Sequence, residues 1–280
     1  MDTHNFRNGF WTVRGMRVLI ALMMMVGVFG LGTAEGKEKK RKTPAPPPAD
    51  LPGHVAYLAW QLRVVHMDDS APITGEIQKL VLDHLQEWLP ASPDRASDVA
   101  VRRELEAAFY QLRYPTSGQP ACFAQPWKGG RLIGAGYTLA WTRYNRVNVV
   151  ALFDQRDGGT RLAAVTSFTP FVDLHYEFLP ARGWDDFRFF IYGTRPGKSQ
   201  PRLSAALYSY DGQNLKSLWE THDVYDGKID VGEEKVTIRY LKEEEYIREQ
   251  AHKRKPPRHE ATYKITPQGL EIETDREMPF

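Results

Sequence analysis

Residues 173–178, DLHYEF, combine residue types and spacing that could do chemistry. On a β-strand, residues two apart lie on the same face, so Asp173, His175 and Glu177 would project together. Two carboxylates and an imidazole on one face could bind a divalent metal or act as acid and base. The same alternation is typical of a strand with one solvated face, because the intervening apolar residues would then face a core.

A second pair of candidates lies on a strand predicted near residues 214–222. Glu220 and His222 would share a face in the same way and could approach the first three residues. All five are candidate metal ligands, and Asp173, His175 and Glu177 are also candidate catalytic residues. One functional hypothesis is therefore a metal-dependent or acid/base hydrolase.

The motifs that identify common enzymes are missing from the sequence. The glycines of residues 134–136, GAG, are not followed by the third glycine of a dinucleotide-binding loop, and there is no P-loop. Residues 197–201, GKSQP, lack the glycine that closes a nucleophile elbow, and residues 259–263, HEATY, end in tyrosine where a zincin has histidine. The single cysteine, Cys122, cannot form an intramolecular disulfide. The sequence therefore predicts no cofactor.

The charge distribution bears on the class of partner. The 280 residues carry 37 Lys and Arg against 35 Asp and Glu, but beyond residue 50 the counts are 29 basic and 31 acidic. A folded part with balanced charge lacks the basic surface that nucleic-acid binding requires. The partners that remain are an envelope protein or a small ligand.

The N-terminus predicts export. Residues 18–32 form an uninterrupted apolar run, which follows three arginines and leads into Gly32-Thr33-Ala34. This order is typical of a secretory signal peptide over residues 1–34, with cleavage after Ala34 and a periplasmic or secreted product. The alternative is an uncleaved membrane anchor, although the run is shorter than the roughly 18–20 residues that span a bilayer.

Residues 35–50 predict a linker between the membrane surface and the folded part. Residues 43–48, TPAPPP, favour an extended, semi-rigid chain. The basic cluster just before them could contact anionic lipid headgroups. Its members are Lys37, Lys39, Lys40, Arg41 and Lys42.

The rest of the chain predicts an α+β fold. Residues 51–114 form a helical segment, because apolar residues recur there at helical spacing. Three helices are predicted, over 54–66, 73–89 and 98–112. Proline and glycine predict a connector over 115–130. Residues 131–280 then predict a large antiparallel β-meander that forms a sandwich, an open barrel or propeller-like blades.

Short strands with turn residues between them define this β domain. The strands are predicted near 132–142, 146–154, 160–168, 172–179, 186–194, 202–210, 214–222, 228–232, 235–241, 260–265 and 269–274. Residues 187–225 are the most aromatic stretch and predict the centre of the sheet. The charged residues 242–259 predict a solvated excursion with a short helix, or a partner-binding loop.

One stretch of the β domain echoes another. Residues 151–153, ALF, followed by Gly158 and Leu162, resemble 206–208, ALY, followed by Gly212 and Leu215. The offset between the two stretches is almost constant along their length. The echo indicates repeated units of the kind seen in propeller blades, or only two hairpins that resemble each other.

Taken together, these features favour an exported, non-enzymatic β-rich domain with a ligand-binding, partner-binding or structural role. The hydrolase that would use Asp173, His175 and Glu177 is the alternative.

Overall fold

The computed structural model describes residues 46–65, 69–91, 97–109, 120–140, 146–156, 159–168, 174–180 and 183–279. The predicted signal peptide, the basic cluster at 37–42 and Asp173 lie outside these residues. In the described ranges, no helix is long and apolar enough to cross a membrane.

Three helices precede the strands, and each buries the stripe that its sequence predicts. They are α1 (Leu51–Leu62), α2 (Ser70–Trp88) and α3 (Asp98–Phe109). Asp50 caps α1 by accepting a hydrogen bond from the Gly53 amide at 3.0 Å. A fourth helix, α4 (Glu243–Ala251), lies within the charged stretch 242–259, as the sequence predicts.

The described residues also form twelve strands. They are β1 (Ala121–Trp127), β2 (Gly130–Ala140), β3 (Arg146–Arg156), β4 (Gly159–Phe168), β5 (His175–Phe178), β6 (Phe187–Arg195), β7 (Arg202–Tyr210), β8 (Leu215–Tyr225), β9 (Lys228–Val231), β10 (Lys235–Tyr240), β11 (His259–Thr266) and β12 (Gly269–Glu277).

The strands form three separate antiparallel sheets of four strands each. The N-terminal sheet contains β1–β4, the middle sheet β5–β8 and the C-terminal sheet β9–β12. In every sheet each strand pairs with the next one along the chain, so each sheet is a meander. The α+β class and the antiparallel pairing are therefore confirmed, with three stacked sheets in place of one large one.

Apolar side chains join the helices and sheets into four layers. Helices α1–α3 cover one face of the N-terminal sheet, whose other face packs on the middle sheet. The opposite face of the middle sheet packs on the C-terminal sheet. Representative buried residues of the three interfaces are Leu58, Val81 and Tyr137; Phe123, Leu152 and Phe189; and Phe190, Leu207 and Ile238.

The three sheets repeat one structural unit at a constant spacing. Each pairing of the third strand with the fourth has a bulge, between 152 and 153, between 207 and 208, and between 262 and 263. The extra residue on the fourth strand lies at Ala163, Leu218 and Glu273, which follow one another at equal intervals along the chain. The echo in the sequence corresponds to two of these units, and the C-terminal sheet is the third.

The segment 115–130 differs from the predicted connector, because it contains β1. Pro126 and the glycines that follow β1 suggest a loop, but β1 is an edge strand of its sheet. Proline is tolerated at an edge because one side of the strand needs no hydrogen-bond donor.

Gly134 and Gly136 on β2 fit the interface between the N-terminal and middle sheets, not a nucleotide loop. A Cβ atom at Gly134 would overlap the Phe123 ring, and one at Gly136 would overlap the Tyr176 hydroxyl. These glycines therefore let aromatic rings lie directly on the β2 backbone.

Gly134→Ala should lower the free energy of unfolding by about 1–3 kcal/mol, because the added methyl overpacks this interface. The matched control is Gly75→Ala on α2, where an added Cβ meets no atom within 4 Å. That change should raise stability by about 0.5–1 kcal/mol, because alanine favours a helix. Urea unfolding of both variants measures the difference, and effects of equal sign would contradict the close approach at β2.

Candidate functional site

The strand predicted to carry chemistry exists as β5, an edge strand of the middle sheet. His175 and Glu177 are exposed, while Tyr176 and Phe178 turn towards the neighbouring sheet. Both polar residues contact Tyr192 on β6. The His175 and Tyr192 rings stack with centroids 5.4 Å apart, and the Tyr192 hydroxyl donates to Glu177 Oε1 at 3.4 Å.

Tyr192 is the hydrogen-bond donor to Glu177 in this group. Burial and the neighbouring Glu177 carboxylate raise the pKa of Tyr192 above its ordinary value, so its hydroxyl stays protonated at neutral pH. The polar face of β5 is thus tied to the adjacent strand.

The second pair of candidates lies away from the first. Glu220 and His222 are on β8, at the opposite edge of the middle sheet, with Nε2 and Oε2 3.6 Å apart. Three strand spacings separate β5 from β8, which is about 14 Å. Cross-strand partners also place Glu220 in line with Tyr176, through Ile191 and Ala206. Glu220 therefore projects from the opposite face to His175.

The structure does not bring the four described candidates together. Within the described ranges, no group of three or more His, Cys, Asp or Glu side chains could hold a metal ion. Asp173 lies outside those ranges. Cys122 is buried against the helices, and its burial raises the pKa of the thiol to about 12, which disfavours a nucleophilic thiolate.

If His175 only contacts Tyr192 and binds no metal, the His175→Ala variant should have the same metal content as the parent protein. Its melting temperature in the presence of a chelator should also equal that of the parent. Elemental analysis and thermal unfolding with and without EDTA measure both quantities. His222→Ala is the matched control on the far edge strand. A stoichiometric divalent metal that only His175→Ala abolishes would restore the hydrolase hypothesis.

A different group of side chains converges where the interface between the N-terminal and middle sheets meets solvent. We call it the turn-end cluster, because it lies beside the β1–β2 and β7–β8 turns, at the end of β3 and the start of β4. Its members are Trp127, Asp154, Arg156, Arg161 and Tyr210.

Asp154 organises the turn-end cluster. Its side chain is 1% exposed, and it accepts hydrogen bonds from Arg156 Nε at 2.8 Å and Arg161 Nη2 at 3.2 Å. The same Arg161 nitrogen reaches the Tyr210 hydroxyl at 3.2 Å and the Gly212 carbonyl at 2.7 Å. A single buried carboxylate therefore fixes two guanidinium groups, and one of them bridges to the middle sheet.

Trp127 completes the cluster. The Arg156 guanidinium lies 4.5 Å from the centroid of the Trp127 ring, which is itself 5.2 Å from the Tyr210 ring. The Lys128 ammonium lies 4.9 Å from the same indole. Cations over an indole face are favoured electrostatically, so the ring holds basic groups in place.

Two cavities open beside these residues. One of about 360 Å³ is lined by Asp154, Arg156, Gly159, Thr160 and Arg161. The other, of about 450 Å³, has Trp127, Lys128, Trp184 and Arg188 among its lining residues. Their sizes are in the range of small-molecule sites. The larger cavity combines aromatic surface with a few polar groups, whereas the smaller one is lined by charged residues, a threonine and a glycine.

A second arginine joins the middle sheet to the C-terminal sheet at the same end of the stack. Buried Arg188 donates to Asp186 Oδ2 at 2.8 Å and to the Thr266 and Pro267 carbonyls at 2.9 and 2.8 Å. Its guanidinium also lies 3.9 Å from the Trp184 ring centroid. Partial burial acts to raise the pKa of Asp186, but hydrogen bonds from Ser209 and Arg188 outweigh it and hold the pKa below its ordinary value of 3.8.

The sequence carries little signal for the turn-end cluster. Arg161 is 49 residues or more from Tyr210 and Gly212, and no local motif includes these partners. The one signal is the repeat, because the equivalent turns of stacked units lie at the same end.

No family model matches this chain, and a search of curated proteins finds no match.

Asp186→Asn should lower the free energy of unfolding at pH 7. The difference in this free energy between the variant and the parent should shrink as the pH falls below about 3.8. A carboxylate with a lowered pKa contributes stability above its unfolded pKa, and that stability is lost as the pH falls through the folded pKa. Urea unfolding at pH 7 and pH 3 measures the effect. Asp185→Asn, at the exposed neighbouring carboxylate, is the control and should change stability little at either pH.

Proposed function

We propose that this chain is an exported, non-enzymatic ligand-binding domain of the cell envelope, and that it binds its ligand at the turn-end cluster. The observation that carries the proposal is the pair of arginines fixed by buried Asp154 beside Trp127 and two cavities. Groups held in place before binding lose little conformational freedom when a ligand arrives.

The chemistry of these groups supports binding over catalysis. Arg156 and Arg161 supply positive charge and N–H donors, which attract and orient a ligand. Both Asp154 oxygens accept hydrogen bonds from these arginines. Trp127 contributes flat apolar surface, which suits recognition.

The N-terminal sequence supports the envelope location. The apolar run at 18–32 and the small residues that end at Ala34 have the order of a signal peptide. The proline-rich linker would then space the layered domain from the membrane, whether the signal is cleaved or stays as an anchor. Lys37 and its basic neighbours suit contact with anionic headgroups.

A fusion of the full chain to a C-terminal alkaline phosphatase should be active, because that reporter works only after export. Deletion of residues 18–32 should abolish that activity while the protein level stays similar. If a fusion to green fluorescent protein shows fluorescence confined to the cytoplasm, that result would contradict export. Mass measurement of the recovered protein tests cleavage after Ala34.

A small-molecule panel tests binding at the turn-end cluster. Anionic, neutral and cationic compounds are added to the protein that lacks residues 1–34, and its melting temperature is measured. At least one compound should stabilise the parent and lose most of that effect in Trp127→Ala. Trp60→Ala, at an exposed tryptophan on α1, is the control. A panel in which no compound separates Trp127→Ala from the control would overturn the proposal.

A further inference from the structure

We infer that the turn-end cluster binds an oxyanion, a carboxylate or phosphate group of the ligand, between Arg156 and Arg161. This inference rests on the proposed function and adds the chemical class of the bound group. It depends on the charge balance, on one unsatisfied donor and on the geometry of the smaller cavity.

The charge balance around this cavity is positive. Of the described residues that line it, Arg156 and Arg161 contribute two positive charges and the buried Asp154, which contacts both, contributes one negative charge. Lys128 lines the larger cavity, together with Asp185, Asp186 and Arg188. The acid on the adjacent turn, Asp211, accepts from the Gln213 and Asn214 amides at 2.8 Å each, and its Oδ2 lies 3.7 Å from Lys216 Nζ.

The cluster also holds a donor without an acceptor. Arg156 Nη2 is buried, and no hydrogen-bond acceptor for it lies within the part of the chain that the structure describes. A buried donor left unsatisfied is costly, and nearly all such groups in proteins have a partner. Arg156 lines the 360 Å³ cavity, and because Nη2 is buried the guanidinium must shift before an oxygen atom of a ligand there can supply the acceptor.

Arg161 supplies the second half of the site. Its Nη2 atom is used by Asp154, Tyr210 and Gly212, yet its side chain is 59% exposed and lines the same cavity. These contacts fix the orientation of the Arg161 guanidinium, and its other N–H groups belong to a side chain that solvent still reaches. Two guanidinium groups beside one cavity could each donate an N–H group to an oxygen of a carboxylate or phosphate.

The same features disfavour other ligand classes for this position. A cation would meet two arginines against the single carboxylate of Asp154. A neutral hydroxyl would satisfy the Arg156 donor but gain no charge assistance. The larger cavity beside Trp127 and Trp184 offers aromatic surface for the uncharged part of the same ligand.

Isothermal titration of the protein that lacks residues 1–34, with inorganic phosphate and with succinate, tests the inference. At least one anion should bind, and Arg156→Gln or Arg161→Gln should weaken its affinity at least about tenfold, as expected for the loss of a charge-assisted hydrogen bond. Binding of phosphate alone assigns a phosphate group, and binding of succinate alone assigns a carboxylate. Methylammonium chloride should not bind.

The matched control is Arg131→Gln. Arg131 is exposed on β2 of the same sheet. Its neighbour in sequence, Leu132, faces the middle sheet, so the Arg131 side chain projects from the opposite face. This variant should bind like the parent. Arg156→Lys and Arg161→Lys keep the charge but lose the planar guanidinium group, and should bind with intermediate affinity. Thermal unfolding of every variant identifies any that fails to fold. If a glutamine variant fails to fold, the affinity of the corresponding lysine variant is compared with that of the parent.

Equal affinity in Arg156→Gln, Arg161→Gln and Arg131→Gln would overturn the oxyanion site. So would a panel in which a neutral compound binds at Trp127 while both anions do not, and the proposed binding function would survive that result. If no compound binds and Trp127→Ala matches its control, both proposals are wrong.

Discussion

The middle sheet buries both of its faces, and the rest of the architecture follows from that constraint. Consecutive residues of one strand, Phe189 and Phe190, are both fully buried, one against the N-terminal sheet and one against the C-terminal sheet. Such a sheet needs an apolar partner on each side. The N-terminal sheet then needs a further cover, which α1–α3 supply. The outward face of the C-terminal sheet is polar, with Glu260 between Arg239 and Arg276, and so needs no further cover.

Both apolar interfaces end at the turns in an arginine that crosses to the next sheet, and this makes that end of the stack distinctive. Arg161 reaches the Gly212 carbonyl in the middle sheet, and Arg188 reaches the Thr266 carbonyl in the C-terminal sheet. Each arginine is backed by a carboxylate, Asp154 or Asp186. These contacts supply donors to backbone carbonyls at the β7–β8 and β11–β12 turns. The contacts that join the sheets therefore also hold charged side chains beside a cavity. The proposed ligand site uses the positive charge that Asp154 does not neutralise.

Much of the local structure could be predicted, because the burial of one or both faces of a strand determines its pattern of apolar residues. The strand predicted over 202–210 coincides with β7, and the alternation predicted for residues 173–178 is seen in β5. Strand β1 escapes prediction because Pro126 is typical of a loop, and only its place at a sheet edge makes it acceptable. The sequence also suggests that Glu220 approaches His175, but strand order places the two residues on opposite edges and faces of one sheet.

The sequence by itself determined the α+β class, the order of the helices and of the strands after β1, the antiparallel pairing and an echo of the repeat. These properties depend on neighbours a few residues apart, through periodicity and turn chemistry. Only the tertiary structure decided that the strands form three stacked sheets, and that Trp127, Asp154 and Tyr210 meet at one end. Contacts across stacked sheets join residues far apart in the chain, as Arg161 and Asp154 show in their contacts with Tyr210. No local pattern specifies such contacts, because they arise from which apolar faces pack together.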